Sequence, residues 1–323
     1  MRTLGFLSST VIFFVISVVG VFAQTRTVAI TVDDLPFAHG IYLHNNLSAE
    51  ASAALRVNGS LLSAFRAHHI PVTGFVIQEH VESLGPAGAQ ILKQWVGQGF
   101  DLGNHTYSHP DIYDLSTETF EEEILRGESG IAPLLKEVGK KPEYFRFPMN
   151  ETGDTKAKHD AIAAFLSHHG YRVATCTIDN SDYVFNAAYL RMLEKDDGPS
   201  GQKLRHDYLA YTSVEIDYYA ALNKQVFGYE PPQVMVLHDN QLNADLIEQL
   251  ITLFQRKQYK FVSLDAAQSD RAYHTPDTYI SRFGPMWGYR WAKERGVKVN
   301  GRLELDPPQW IVHYGRPIHP PAR

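Results

Sequence analysis

The stretch Val28-Ala29-Ile30-Thr31-Val32-Asp33-Asp34 decides how the rest of the chain can fold. Five apolar or β-branched residues lead into two adjacent carboxylates, which predicts a buried strand that ends where the charges begin. Neighbouring side chains on a strand point to opposite faces, so two adjacent acids at a strand end can serve different roles in one pocket. We expect Asp34 to bind a metal ion and Asp33 to transfer protons. For the pair taken alone, an Asp-Asp turn that caps the next element is the alternative.

Strand-like and helix-like segments alternate along the remainder of the chain. After the first strand, apolar runs predict strands at 72–77, 100–103, 144–148, 171–178, 234–237 and 261–264. Helices are expected between them, among them one from Ser116 to Gly139 and a long, interrupted helical stretch over 187–227. Such alternation requires a parallel sheet with right-handed crossovers.

Polar residues follow five of these strands directly, and this decides the shape of the sheet. They are Asp33/Asp34, His105/His109, Arg146, Asp179/Asp182 and His238. Strand ends spread over the whole chain can converge only if the sheet curls round a common mouth. We therefore predict an α/β fold, an irregular (β/α) barrel of about seven parallel strands.

The N-terminus has the pattern of a secretory signal peptide. A basic Arg2, an apolar run from Leu4 to Phe22 and small residues before Gln24 predict cleavage after Ala23. The expected location is therefore secreted or periplasmic, with an uncleaved membrane anchor as the alternative. Residues 24–323 are expected to form a single catalytic domain. It divides into a core over 27–267, a helical insertion over 183–230 and an aromatic-rich C-terminal extension over 270–323.

Composition narrows the classes of partner. The chain has 30 Lys+Arg against 36 Asp+Glu, and it lacks a basic stretch with interleaved aromatics, so nucleic acid is not an expected partner. Because no second long apolar run follows the signal segment, we expect no integral membrane domain after cleavage. The single cysteine, Cys176, lies in an apolar run and is expected to be a buried core residue.

His105 and His109 are spaced so that two imidazoles can reach one ion. Gly103 before the pair and Pro110 after it favour a loop over a helix. No Glu follows His105, so the zinc-protease motif is absent. Two His and one carboxylate recur in catalytic metal sites that leave a position open for water. A pair of structural histidines is the alternative when these two residues are considered alone.

Five short motifs, in order along 27–267, resemble those of the polysaccharide deacetylases, also called the NodB-homology domain or carbohydrate esterase family four. The motifs are Thr31-Val32-Asp33-Asp34, His105-Thr106-Tyr107-Ser108-His109, Arg146-Phe147-Pro148, Asp179-Asn180-Ser181-Asp182 and Val236-Leu237-His238.

The resemblance implies a role for each matching residue. Asp33 is implied as the catalytic base, steadied by Arg146, and His238 as the general acid, oriented and charged by Asp182. Asp34, His105 and His109 are implied as ligands of a divalent metal ion, with zinc as the expected metal.

The implied activity is removal of acetyl groups from the N-acetylated amino sugars of a polysaccharide such as peptidoglycan or a chitin-like polymer. An O-acetyl esterase or a small-molecule N-acyl amidase with the same metal site is the alternative, and a non-catalytic carbohydrate-binding barrel is the third reading.

Residues near two of the motifs depart from the family pattern, and the C-terminal extension lies outside the part of the chain that resembles the family. Met149-Asn150 stands where an aromatic-Gly pair is frequent, and Tyr183 stands where Trp is common. The extension carries Trp287, Trp291 and Trp310, which either line a sugar-binding groove or cover an edge of the core, and we favour the second interpretation.

Overall fold

The structure, a computed structural model, describes residues 25–38 and 46–316. The predicted signal peptide lies outside these residues. The strands are β1 (Arg26–Leu35), β2 (Val72–Val76), β3 (Asp101–Asn104), β4 (Tyr144–Phe145), β5 (Arg172–Val173), β6 (Gln233–His238) and β7 (Tyr259–Phe261). The helices are α1 (Leu47–Ala67), α2 (Gln78–Leu84), α3 (Pro86–Gly97), α4 (Thr117–Gly127), α5 (Ile131–Glu137), α6 (Lys156–His168), α7 (Asp182–Glu194), α8 (Gly198–Phe227), α9 (Gln241–Arg256), α10 (Leu264–Gln268), α11 (Trp287–Glu294) and α12 (Gln309–Gly315).

All strand pairings are parallel, and β1 pairs with three other strands. The strand order is β5-β4-β3-β2-β1-β6, and β7 pairs with the first residues of β1. One isolated bridge, between Ile178 and Met235, connects the segment after β5 to β6 and closes the ring of strands. The barrel predicted from the polar residues at the strand ends is therefore confirmed, and it is irregular because a single bridge closes the ring.

Helices pack around the barrel with their apolar faces inward. In α9, the Asn240 side chain accepts a hydrogen bond from the Asn243 N–H (2.9 Å) and so caps the first turn. Leu246, Leu250 and Phe254 of this helix are buried in the main core, to which α1 also contributes. These helices fix β1 and β6, the two strands that carry Asp33 and His238.

Four predicted elements differ from the observed ones. The strands predicted at 144–148 and 171–178 are ladders of two residues each, and the helix expected from Ser116 to Gly139 is divided into α4 and α5. Close approach explains the division: a Cβ on Gly127 would lie 2.4 Å from Asn104 Oδ1, and one on Gly130 would lie 2.2 Å from Gln78 Oε1. The last strand ends at Phe261, where the prediction began it.

The C-terminal extension packs against the domain and includes two helices that the sequence pattern did not predict. Trp287 and Trp291 of α11 are buried in a cluster with Val226 of α8. Trp310 of α12 packs against the main core. The interpretation that these aromatics cover a core edge is confirmed. Within the described ranges, no helix is long and apolar enough to cross a bilayer.

Candidate active site

The carboxyl ends of the strands bring the predicted residues to one mouth of the barrel. Asp33 lies directly opposite His238 in the register of β1 and β6. His105 follows β3 and Arg146 follows β4, so both belong to the same edge of the sheet. The convergence expected from the sequence is therefore observed for these four residues.

The two adjacent acids lie on the same side of β1, and strand alternation did not predict this. The pairing of β1 with β2 changes register between Val32 and Leu35, and Asp34 has a left-handed φ of 65°. A register change of this kind alters the direction in which a side chain points, here that of Asp34. As a result, Asp33 Oδ2 and Asp34 Oδ1 lie 3.9 and 3.6 Å from the same atom, Nε2 of His105.

Asp34, His105 and His109 form a cluster with one ligand atom each, all within 4.8 Å of one another. His109 Nε2 lies 3.7 Å from Asp34 Oδ1, and the two imidazole rings meet edge to face at 4.8 Å. The histidines lie on a loop in which Thr106 and His109 have positive φ angles of 70° and 56°. The loop predicted from Gly103 and Pro110 is confirmed.

The chemistry of the cluster fits a divalent metal ion. His105 Nδ1 donates to the Arg146 carbonyl (2.8 Å), so its Nε2 keeps a lone pair for an ion. Burial, followed by the charge of His109, holds the pKa of His105 well below its usual range, which keeps the ring neutral. Burial would raise the pKa of Asp34, but His238, His109 and His105 outweigh it and lower that pKa. Asp34 Oδ1 is buried and has no hydrogen-bond donor among the described residues.

Two residues that the sequence analysis did not assign hold the histidine loop. Asn104 is fully buried, accepts a hydrogen bond from the Thr106 N–H (2.9 Å) and donates to the Ile124 carbonyl (2.7 Å). Glu123 accepts from the N–H of Ser108 (2.7 Å). Glu123 is the seventh residue of α4, beyond the first turn of the helix, and its role is to anchor this loop.

Arg146 lies buried behind Asp33. Its Nη1 is 3.5 Å from Asp33 Oδ2, its Nη2 donates to Thr31 Oγ1 (3.0 Å), and it also contacts the buried Cys176 Sγ. The guanidinium stacks over the Phe75 ring, 4.7 Å from its centroid. Burial raises the pKa of Asp33, and the positive charge of Arg146 opposes that rise. Asp33 Oδ1 is buried and accepts no hydrogen bond from the described residues, so it is available to a proton donor in the mouth.

His238, which is partly exposed, and the buried Asp182 form an ion pair on the other side of the mouth. His238 Nδ1 donates to Asp182 Oδ1 (2.6 Å), and the His238 backbone N–H donates to Asp182 Oδ2 (2.7 Å). Asn243, which the sequence analysis did not identify, donates to the same Oδ2. Burial opposes a charge on His238, but the Asp182 carboxylate outweighs it and raises the pKa of His238 well above its usual range.

Asp179 and Asp239 lie near the mouth with structural contacts. Asp179 Oδ1 accepts from the Ser181 N–H (2.8 Å) and so caps the chain just before α7. Asp239, next to His238, accepts from Asn58 Nδ2 (2.8 Å), and Asn58 accepts from the Trp95 indole (2.8 Å). Neither carboxylate belongs to the histidine cluster.

An Asp-His-His cluster, a buried acid beside an arginine and a charged histidine at one barrel mouth are the kinds of group that metal-assisted hydrolysis uses. The family model of the polysaccharide deacetylases matches residues 22–195. The chain belongs to this family.

Individual relatives are distant and match only in part. A peptidoglycan-N-acetylglucosamine deacetylase of Bacillus cereus is 22% identical over 129 residues, which cover 40% of this chain and 42% of the relative. A chitin deacetylase of Arthroderma benhamiae is 27% identical over 157 residues, covering 49% of this chain and 35% of the relative. The chain thus spans less than half the length of these curated relatives.

Solved structures show the same fold. The polysaccharide deacetylase Bc1974 from Bacillus cereus matches with a TM-score of 0.50 and 18% identity, covering 74% of this chain and 91% of that chain. BA3943 from Bacillus anthracis, described as a pseudoenzyme of carbohydrate esterase family four, matches with a TM-score of 0.50 and 15% identity, covering 76% and 66%. Since a pseudoenzyme shares the fold, the activity of this chain has to be argued from its own side chains.

Proposed function

We propose that this protein is a metal-dependent hydrolase that removes acetyl groups from N-acetylated amino sugars of a polysaccharide, either peptidoglycan or a chitin-like polymer. The observation that carries the proposal is the arrangement of a free acid and a charged histidine around the Asp34-His105-His109 cluster. The names of the distant deacetylase relatives support the same substrate class.

Asp33 is suited to act as the base. Its Oδ1 faces no donor from the described protein, while Arg146 holds Oδ2 in place. A carboxylate fixed through one oxygen can accept the proton of the attacking water through the other. Arg146 also keeps Asp33 from rotating away, because it is itself held by Thr31.

His238 is suited to act as the acid. Asp182 binds its Nδ1, so the second N–H of the imidazolium, at Nε2, is available to the leaving group. An amine leaves poorly without a proton, so amide cleavage requires such an acid. The contacts of Asp182 with the backbone of His238 and with Asn243 fix the imidazole ring before substrate binds.

Asp34, His105 and His109 are the residues that would hold the divalent ion, and zinc suits a site with two nitrogen ligands and one oxygen ligand. When bound, this ion supplies Lewis acidity, which polarises the acetyl carbonyl and acidifies water. The hydrogen bond of His105 to the Arg146 carbonyl orients that ligand.

The first experiment measures hydrolysis before and after dialysis against a strong chelator. Acetate release is followed with chitooligosaccharides, peptidoglycan fragments and acetylated xylan, and small N-acyl compounds are tested beside them. We expect release from one of the two N-acetylated substrates and its loss after chelation. Release only from acetylated xylan would show an O-acetyl esterase. Turnover of small N-acyl compounds alone would reject a polymer substrate, and activity that survives chelation would reject the role of the metal.

A second experiment separates the two adjacent acids. Asp34→Ala should lose the bound metal, measured by mass spectrometry, because it removes a ligand. Asp33→Asn should retain the metal and lose most activity, because it removes the base while keeping the side-chain shape. Equal loss of metal in both variants would contradict the division of roles.

Export by a cleaved signal peptide is also part of the proposal. Expression of the full chain in a bacterial host and N-terminal sequencing of the product test it. The expected N-terminus is Gln24, and retention of residues 1–23 in a membrane fraction would show an anchor instead.

A further inference from the structure

A groove with a volume of about 840 Å³ opens beside the His238 side of the site. Tyr183 connects the two: it lines the groove, and its ring centroid lies 5.8 Å from that of His238. The volume falls within the range of about 300–1,000 Å³ that is typical of small-molecule sites. The remaining lining comes from Ser181 and Val184 beside Tyr183, from Tyr211 of α8 and from residues between 301 and 312 of the extension.

The wall formed by the extension is fixed to the helical insertion. Tyr211 donates to the Leu305 carbonyl (2.8 Å), and the Leu305 N–H donates to Glu215 Oε1 (3.3 Å). One residue earlier, Glu304 accepts from the Tyr219 hydroxyl (2.5 Å). Buried groups of α8 thus hold both neighbouring residues of the extension, so the groove has a defined shape.

The helix that follows is fixed in the same way. The indole of Trp310 donates to Asp207 Oδ2 (3.2 Å), and the Tyr314 hydroxyl donates to Asp197 Oδ2 (2.9 Å). Both partners belong to the insertion or to the turn that begins α8. The insertion and the extension therefore form a single surface beside His238.

Three polar side chains on this surface make no hydrogen bond or ion pair within the described chain: Arg302, Asp306 and Gln309. They offer both donors and acceptors to a ligand in the groove. Tyr183, 57% exposed, and Leu305, 46% exposed, add apolar surface. Hydroxyl groups round the edge and an apolar face are the two features of a pyranose ring, and this lining provides partners for both.

We propose that the groove binds the saccharide units next to the reacting sugar, so that the extension sets the preference of the enzyme for oligomeric substrates. This inference rests on the proposed deacetylase function, and it specifies the substrate as a chain of several sugars. The family match ends at residue 195, so Tyr211 and the whole wall from the extension lie outside the matched region.

The test compares the wild type with the triple variant Arg302→Ala/Asp306→Ala/Gln309→Ala. The matched control is Gln90→Ala/Lys93→Ala/Glu137→Ala, which removes one amide, one cation and one anion from exposed positions on α3 and α5. Acetate release is measured with N-acetylglucosamine, its dimer and its tetramer. Binding of the tetramer is measured by calorimetry in an Asp33→Asn background.

We expect kcat/KM of the groove variant to fall about tenfold with the tetramer and to stay unchanged with the monomer, since two or three hydrogen bonds to sugar are lost. Tetramer binding should weaken by a similar factor, and the control should match the wild type in both assays. The same kcat/KM ratio of tetramer to monomer in variant and wild type would overturn the inference.

Absence of acetate release in the wild type would refute the proposed function instead. In that case the calorimetric comparison still decides whether the groove binds the saccharide, because it needs no turnover. Tetramer binding that is equal in the variant and the wild type, or absent from both, would overturn the inference about the groove.

Discussion

Replacement of Asp182 by Asn tests whether a carboxylate keeps His238 charged. In the structure, Asp182 Oδ1 accepts from His238 Nδ1 (2.6 Å), while Oδ2 receives the His238 N–H and the Asn243 amide. Because two donors converge on the position of Oδ2, the amide oxygen of the substituted side chain has to remain there. Its NH₂ group then faces Nδ1 of the imidazole and donates to it, which favours a neutral ring that carries its proton on Nε2.

The expected magnitude follows from this hydrogen bond. A charge-assisted hydrogen bond contributes about 1.5–3 kcal/mol, which equals about 1–2 pKa units of His238. The NH₂ group facing Nδ1 adds to the loss, so we expect a shift toward the upper end of that range. The alkaline limb of kcat/KM reports an acid that has to be protonated, and it should therefore move to lower pH by about 2 units.

The assay is acetate release measured from about pH 5 to pH 10, with metal content measured in the same samples. The matched control is Asp179→Asn, which keeps its cap on the Ser181 N–H and has no hydrogen bond to His238. Without a direct contact, the control should shift the limb by less than about half a unit. An unmoved alkaline limb in Asp182→Asn, with metal retained, would refute the assignment of His238 as an acid sustained by Asp182.

Three further predictions concern the insertion and the extension. Burial raises the pKa of Glu215 to about 7, so its neutral form stabilises the fold at low pH and this contribution is lost as pH rises through about 7. In urea titrations, the unfolding free energy of the wild type should fall between about pH 5 and pH 8, and Glu215→Gln should reduce this fall. An equal fall in both proteins would contradict this. Arg290→Met removes the buried partner of the partly exposed Asp277 (2.7 Å) and should lower the unfolding free energy by about 2–4 kcal/mol. An unchanged midpoint would show that the pair does not stabilise the extension. Gly284→Ala should lower thermal stability by an amount equivalent to about 1–3 kcal/mol or more, because its Cβ would lie 1.9 Å from the Met149 carbonyl oxygen. A thermal melt identical to that of the wild type would disprove this close approach.

The strand ends could be predicted from the sequence because apolar runs stop at charged residues. Asp33, His105, Arg146 and His238 each follow such a run, and the structure gathers them at one mouth. His109 follows His105 by four residues, so the sequence also indicated that both belong to the same loop. This part of the site follows from local pattern and from the rule that parallel strands share their carboxyl edge.

The path of the chain after β5 could not be predicted, because its hydrogen-bond partner is a distant side chain. Gln268 accepts from the Thr175 N–H (2.8 Å) and donates to the Val173 carbonyl (3.0 Å), so one amide group takes the place of a neighbouring strand. The run from Tyr171 to Ile178 is apolar and looks like a longer strand. Nothing in that run indicates which residue will satisfy its backbone.

The residues that hold other site residues in place could not be predicted for a related reason. Asn104 and Asn243 are single polar residues with no spacing signal, and their partners are fixed only by the folded structure. The left-handed turn at Asp34 was also not foreseen, since aspartate adopts both conformations. Gly127 and Gly130 did carry a signal, because glycines inside a helical pattern often mark a break.

The single bridge between Ile178 and Met235 has a consequence for how this architecture can diversify. The segment between β5 and β6 carries α7 and α8, yet it interrupts no ladder of backbone hydrogen bonds apart from that bridge. Residues can be gained or lost there at little cost to the sheet. The helical segment after Asp182 could therefore vary in length and sequence while Asp33, His238 and the histidine cluster stay in place, and we expect relatives with other specificities to differ most at this seam of the barrel.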